Sequence, residues 1–209
     1  GDVYLREGYS MSDVFTTGIL QRGRDGKLVE EGNGYQVDRS QRIRLGSADP
    51  DFTMGWRHDI NYKNISLGLM ITGRFGGIVT SQTQAFMDAF GVSKVSAEAR
   101  DNGGVMLDGH RYDAERYYNT VGGQGLMSYY TYDATNVRLQ ELSLTYSLPK
   151  KWLGDVFNNA TISFVGRNLF MFYRKAPFDP DMNGSTGTYN RSDFFMAPSL
   201  RNLGFSIKF

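Results

Sequence analysis

Few residues in this 209-residue chain are of a type and spacing that could do chemistry. Cysteine is absent, so thiolate metal sites and disulfides are excluded. The two histidines, His58 and His110, are far apart, and no His-x-x-x-His pair accompanies them. A histidine metal site or nucleophile therefore has no support, and strand or surface histidines are the default. No Gly-x-Ser-x-Gly elbow and no phosphate loop of the Gly-Lys-Ser/Thr type occurs. Gly123-Gln124-Gly125 could open a dinucleotide fingerprint, but Ser128 stands where the third glycine belongs and no strand precedes it; it reads as a turn. Asp179-Pro180-Asp181-Met182-Asn183-Gly184 reproduces the first half of a calcium loop. Asp179, Asp181 and Asn183 are its candidate ligands, yet the twelfth position is Asn190 instead of the bidentate glutamate such loops need. A structural turn is the alternative there. No carboxylate pair is singled out for glycoside hydrolysis. The expectation is a protein that is not an enzyme and carries no cofactor.

Tyrosines are a stronger signal. Tyr112, Tyr117, Tyr118, Tyr129, Tyr130 and Tyr132 crowd one segment. Their rings could stack on sugars or grip a partner, or they could pack the loop onto the rim of a barrel. Composition narrows the class further. Lys+Arg (23) and Asp+Glu (22) balance, which argues against a nucleic-acid surface. Phe (14), Tyr (13) and Gly (25) suit strands, turns and barrel surfaces better than helical bundles. No run of 18 apolar residues exists to form a transmembrane helix. A negative mean hydropathy is compatible with a membrane barrel, because half of each strand and all loops are polar.

The elements that would carry these residues are strands. In 53–62, Met54, Trp56, Ile60 and Tyr62 alternate with polar residues, and only His58 breaks the apolar face. Lys63-Asn64 is a two-residue hairpin turn, and 65–75 returns with Ile65, Leu67, Leu69, Ile71 and Phe75 on one face. Alternation resumes in 137–148 (Leu142, Leu144, Tyr146, Leu148), in 160–172 (Ile162, Phe164, Phe170, Phe172, with Asn168 intruding) and in 199–209. In the last, Leu203, Phe205, Ile207 and Phe209 share a face. Residues 1–52 read as turn-rich, with short strands near Val3 and Thr17 at most. Within 76–136, Ser81 and Gln84 form a capping box ahead of a helix stopped by Gly91, and Asp113 caps a helix from Ala114 to Tyr118. Both helices are too short to found a core of their own.

Connections between the strands fall at 63–64, 76–136, 149–159 and 173–198, so short and long alternate. All long loops then emerge at one end, the asymmetry of outer-membrane barrels with short periplasmic turns and long external loops. Strands of this length match the ~9–11 residues needed to cross a bilayer at a tilt. The fold class expected is all-β: an antiparallel transmembrane β-barrel segment of five long strands, with long extracellular loops carrying short helices. Residues 1–52 would be an extracellular loop region and 53–209 the barrel strands and their loops. Leu142, Leu144, Tyr146, Phe164, Phe205 and Ile207 would form the lipid-facing band. A soluble β-rich carbohydrate-binding module is the competing expectation.

Several segments together carry a family resemblance. They are Leu45-Gly-Ser-Ala-Asp-Pro-Asp-Phe-Thr53, Gly91-Val-Ser-Lys94, the run from Tyr132 to Lys151, Gly166-Arg-Asn-Leu-Phe170, Asp179-Pro-Asp181 and the terminal Phe209, with a weaker match at Leu5-Arg-Glu-Gly8. In this order they resemble the C-terminal part of SusC/RagA-like TonB-dependent outer-membrane transporters of Bacteroidetes. The resemblance implies a barrel of ~22 strands with a plugged lumen, nutrient uptake of glycans or peptides, and a SusD-like surface lipoprotein as partner. TonB would act through an N-terminal region outside this chain. Leu203, Phe205, Ile207 and Phe209 would then be the assembly signal of the barrel. Membrane lipid is an implied partner; nucleic acid is not.

Overall fold

The structure, a computed structural model, describes residues 2–3, 7–154, 157, 159–181 and 192–209. The chain passes repeatedly between two compact units. A mixed unit comprises Gly1–Asp49, Gly77–Asp133 and Met182–Ala197; a sheet unit comprises Pro50–Gly76, Ala134–Asp181 and Pro198–Phe209. The excursion after residue 76 belongs to the same unit as the first 49 residues.

The mixed unit starts with β1 (Asp2–Val3), β2 (Asp13–Leu20), β3 (Glu30–Glu31), β4 (Gly34–Tyr35) and β5 (Val37–Ser47). Strands β1, β2 and β5 form one antiparallel sheet, and β3 pairs with β4. Sequence alone shows no strand at β5, because its polar residues hide the alternation; pairing with β2 supplies what propensity lacks. The chain next lays down β6 (Phe52–Tyr62) and β7 (Ile65–Phe75) in the sheet unit. It returns through β8 (Ile78–Ser81), α1 (Gln82–Ala89), α2 (Lys94–Asp101), β9 (Val105–Leu107), β10 (His110–Tyr112), α3 (Ala114–Val121), a 3-10 turn at Met127–Tyr129 and β11 (Thr131–Asp133). The sheet unit continues with β12 (Asn136–Ser147), α4 (Lys150–Leu153) and β13 (Thr161–Arg174). The short β14 (Ser192–Asp193) lies parallel to β8, and β15 (Asn202–Lys208) pairs with β13.

The helices of the mixed unit found a core after all. Ala114, Tyr117, Tyr118 and Val121 recur at i, i+3, i+4 and i+7, so α3 turns one continuous apolar face inward. Leu20, Leu28, Tyr35, Ala85, Leu126 and Met127 close around it. Short helices suffice because chain distant in sequence supplies the other walls. Ser81 caps α1 as expected, accepting from the Gln84 N–H at 3.0 Å. Gln84 does not complete the box. The Ser81 N–H is already bonded to the Tyr130 carbonyl, 3.0 Å, and Gln84 Nε2 turns to Asp88 at 2.8 Å. Asp113 caps α3 by accepting from the Arg116 N–H, 2.9 Å. Gly122 and Gly123 let the chain leave α3 tightly: a Cβ on Gly122 would lie 2.4 Å from the Ala85 carbonyl oxygen.

The sheet unit is a single antiparallel sheet in the order β15-β13-β12-β7-β6. Lys63-Asn64 makes the expected two-residue turn, with Tyr62 opposite Ile65 and Lys63 at a φ of 51°. The turn is tied to β12 by Asn64 Nδ2 donating to the Ser147 carbonyl, 3.0 Å, and the Ser147 N–H donating to the Asn64 carbonyl, 2.8 Å. Between β12 and β13 the link narrows to Leu148 N–H on the Ala160 carbonyl, 2.8 Å. The last strand is shorter than the expected 199–209. Ser199 and Leu200 are taken up by the side chains of Asp179 and Asn168, which leaves ladder pairing to begin at Asn202.

Candidate functional site

Register across the sheet unit aligns apolar side chains into rows, since opposed residues share a face. Ile60, Leu67, Leu144, Phe164 and Phe205 stand opposite one another across all five strands. Beside them runs a second row, Tyr62, Ile65, Tyr146, Ile162 and Ile207. Among the described residues nothing covers this face: Leu144 remains 48% exposed, Phe164 42% and Phe205 66%. Even the odd residue is accommodated, His58 stacking on Trp56 with centroids 5.7 Å apart. The other face is polar. Asn61, Ser66, Thr145, Ser163 and Ser206 make one row, with Thr145 and Ser163 hydroxyls 2.9 Å apart. Arg57 pairs with Asp59 at 2.9 Å and Arg167 with Glu141 at 3.0 Å on that side. Strands β6, β7, β12 and β13 are 11, 11, 12 and 14 residues long, enough for a tilted bilayer crossing. Among the described residues no helix is long and apolar enough to cross a membrane.

At one end of the same sheet, Arg138 gathers a polar cluster. Its guanidinium side chain is only 6% exposed. Nη2 meets Asp179 Oδ1 at 2.7 Å and Asp181 Oδ2 at 2.6 Å, while Nη1 and Nε reach Asn168 and Asn136 at 3.3 Å. Asp179 also accepts from the Asp181 N–H, 3.1 Å, and from the Ser199 hydroxyl. Burial pushes the Asp179 carboxyl up, but the hydrogen bonds from Ser199 and Arg138 outweigh it and hold the group below its ordinary range. The carboxylates that sequence offered to calcium are therefore turned onto a guanidinium, an internal cation at the same position. Asn183, the third candidate ligand, lies outside the described residues, among which no group of three or more acidic or histidine side chains is placed to hold a metal. Asn168 reaches Arg138 because it takes a φ of 53° at an irregularity where pairing skips from Leu139–Phe170 to Glu141–Arg167. Arg138 was not among the sequence candidates. Its signal was a switch of parity: Val137 and Leu139 are apolar at odd positions, Leu142 and Leu144 at even ones.

The six tyrosines gather in and against one core. Tyr112, Tyr117, Tyr118 and Tyr130 are buried in the core of the mixed unit, with Tyr129 and Tyr132 packed against it. Tyr117 and Tyr118 meet edge to face at 5.2 Å. The Tyr112 hydroxyl accepts from the Leu28 N–H, 3.1 Å, and the Tyr129 hydroxyl from the Leu20 N–H, 3.2 Å. Burial raises the phenols of Tyr117 and Tyr130 far above the usual range, so they stay neutral. The side chains expected to signal assembly lie at an open edge: Leu203, Phe205 and Ile207 on β15 and Phe209 beyond it are all exposed, Phe209 meeting the Phe157 ring at 4.9 Å.

Comparison with known proteins now gives this geometry a context. No family model matches the chain. TonB-dependent receptor P3 of Formosa agariphila is 29% identical over 222 residues, covering 97% of this chain and 22% of that receptor. TonB-dependent receptor P26 of the same bacterium is 26% identical over 192 residues, covering 87% and 19%. Among solved structures, the RagAB peptide importer in its open-open state superposes with a TM-score of 0.59 at 16% identity, over 94% of this chain and 21% of the other. The closed-closed state gives 0.56 at 16% identity, over 92% and 20%. This chain thus spans about a fifth of the length of the proteins it matches. A sheet with one polar and one uncovered apolar face, in a chain similar to such receptors, is part of an outer-membrane β-barrel. Within that class the chain is similar in sequence to TonB-dependent receptors and in fold to the RagAB importer.

Proposed function

We propose that this chain is the C-terminal part of an importer that takes up glycans or peptides across the outer membrane, driven through TonB and served by a SusD-like surface lipoprotein. The observation that carries the reading is the unbroken apolar row from Ile60 to Phe205, exposed across five paired strands. Water would penalise it at ~25 cal/mol per Å² of apolar area, whereas lipid accepts it without cost. A soluble carbohydrate-binding module would cover this face with a second layer. The similarity to the RagAB peptide importer supports a two-component arrangement. In this reading the mixed unit is extracellular, the polar sheet face lines the lumen, and TonB is engaged by a region outside this sequence. Leu203, Phe205, Ile207 and Phe209 serve barrel assembly, and the role is transport without catalysis.

Uptake of labelled oligopeptides and oligosaccharides by cells carrying the full-length gene tests this. Accumulation of one class should vanish when TonB is deleted and fall sharply when the lipoprotein is deleted. Uptake that survives loss of TonB would overturn the proposal.

A further inference from the structure

We propose that the mixed unit contains a binding site for a carboxylate-bearing oligomer, in a cavity of about 750 Å³ lined by β2, β5, the start of α1 and the turn after α3. Its volume is that of a small-molecule site. Phe15, Ala85, Phe86 and Met127 give it apolar walls, and Arg39 and Arg42 charge it. Among the described residues that line it, the charged side chains are Arg39 and Arg42.

The placement of Arg39 is built into the fold. Pairing of β2 with β5 jumps from Thr17–Arg42 to Ile19–Asp38, and the extra residues on β5 re-aim Arg39. Gly18, at a φ of 102°, leaves room for it: a Cβ there would stand 3.3 Å from Arg39 Nη1 and 2.8 Å from Leu126 Cδ2. Arg39 Nη2 donates to the Gln124 carbonyl at 3.2 Å, which fixes the guanidinium while leaving most of its donors for a ligand. The glycine-rich turn itself is not a phosphate cradle. The N–H groups of Gly123, Gln124 and Gly125 are spent on the carbonyls of Tyr118, Thr120 and Gly122. Recognition therefore falls to side-chain guanidinium forks, which match a carboxylate.

An aromatic flank extends the site. The Phe86 ring lies 5.7 Å from that of Phe195 and 6.2 Å from that of Phe194. Phe195 adopts a φ of 49°, an unfavourable conformation for a bulky residue, and is held there by its N–H on Thr83 Oγ1 at 2.7 Å. The strained backbone keeps two rings exposed beside a cationic cavity, which fits an oligomer with an apolar or sugar-ring body and acidic substituents. An acidic peptide and a uronic-acid oligosaccharide share that chemistry. Calling the ligand a substrate rests on the importer reading; its binding does not.

The full-length protein in detergent, titrated calorimetrically, distinguishes the sources. The probes are acetylated triglutamate and trigalacturonate, with amidated triglutamine and maltotriose as neutral counterparts. One acidic probe should bind about tenfold or more tightly than its counterpart, and Arg39→Gln with Arg42→Gln should remove that preference. On the unaltered protein, the bound probe should slow phenylglyoxal labelling of Arg39 and Arg42, read by mass spectrometry. No preference for either acidic probe, or undiminished labelling at saturation, would overturn the site. TonB-dependent uptake persisting in that case would leave the importer reading standing; acidic-probe binding without such uptake would do the reverse.

Discussion

Arg138 binds four side chains at once, and its neighbours are poorly placed to lose it. Arg138→Leu would leave the almost fully buried Asp179 without its guanidinium, while Asp181 keeps Arg74 at 3.9 Å. Breaking such a pair from one side costs about 3–5 kcal/mol. We expect a clear drop in the thermal midpoint of the full-length protein in detergent, with Arg138→Lys intermediate because it loses the fork geometry. Asp179 also gives the cluster a pH dependence. Its folded pKa lies below the ordinary value of 3.8. The stabilisation is therefore complete above 3.8 and disappears as pH falls through the lower folded value. Wild type should outlast Asp179→Asn in thermal melts at pH 7, and the gap should close as pH drops below 3.8. A gap unchanged at pH 2 would remove the carboxylate from the account.

At the scale of elements, parity decides which side chains meet lipid. Leu144 sits mid-strand in the row between Leu67 and Phe164, whereas Thr145 pairs with Ser66 and Ser163 on the opposite face. Leu144→Arg should cost ~2–4 kcal/mol near the bilayer midplane, and Thr145→Arg much less. Folding yields of the full-length protein into lipid vesicles measure the difference, and a lipid-soluble photolabel should mark Leu144 but miss Thr145. Helix contacts in the mixed unit are just as specific. Gly122→Ala places a methyl 2.4 Å from the Ala85 carbonyl oxygen and 2.9 Å from that of Tyr118, both backbone atoms with little freedom to yield. Overpacking of this kind costs about 1–3 kcal/mol. Limited proteolysis within 77–133 should accelerate in that variant, while the strands of the sheet unit keep their resistance.

The whole molecule is two units threaded by one chain, each with a different solvent logic. The mixed unit buries tyrosines and leucines in a core of its own. Among the described residues the sheet unit has no such core, and its edge strands β6 and β15 each pair on one side only. Unpaired strand edges in lipid are expensive, so closure needs strands beyond these five. If the mixed unit is extracellular, protease added to intact cells should cut within 77–133 well before Lys150-Lys151, which lie on α4 in the link between β12 and β13. Cleavage first at Lys150-Lys151 would invert the topology.

What the sequence determined by itself was local and periodic. Strand β7 occupies the expected residues 65–75, the Lys63-Asn64 turn is where dipeptide chemistry puts it, and the four other long strands fall within a few residues of the alternation that marks them. Caps at Ser81 and Asp113 were legible for the same reason: the donor and acceptor are three residues apart. Tertiary structure decided everything that depended on residues distant in the chain. β5 becomes a strand only by pairing with β2, and the tyrosines become a core only when strands and helices from separate segments enclose them. Asp179 and Asp181 face Arg138 across about forty residues of intervening chain, a juxtaposition no spacing rule encodes. Arg39 and Phe86 line one cavity on the same terms. Period and capping are properties of neighbours along the chain, while charge pairing, burial and cavities belong to neighbours in space.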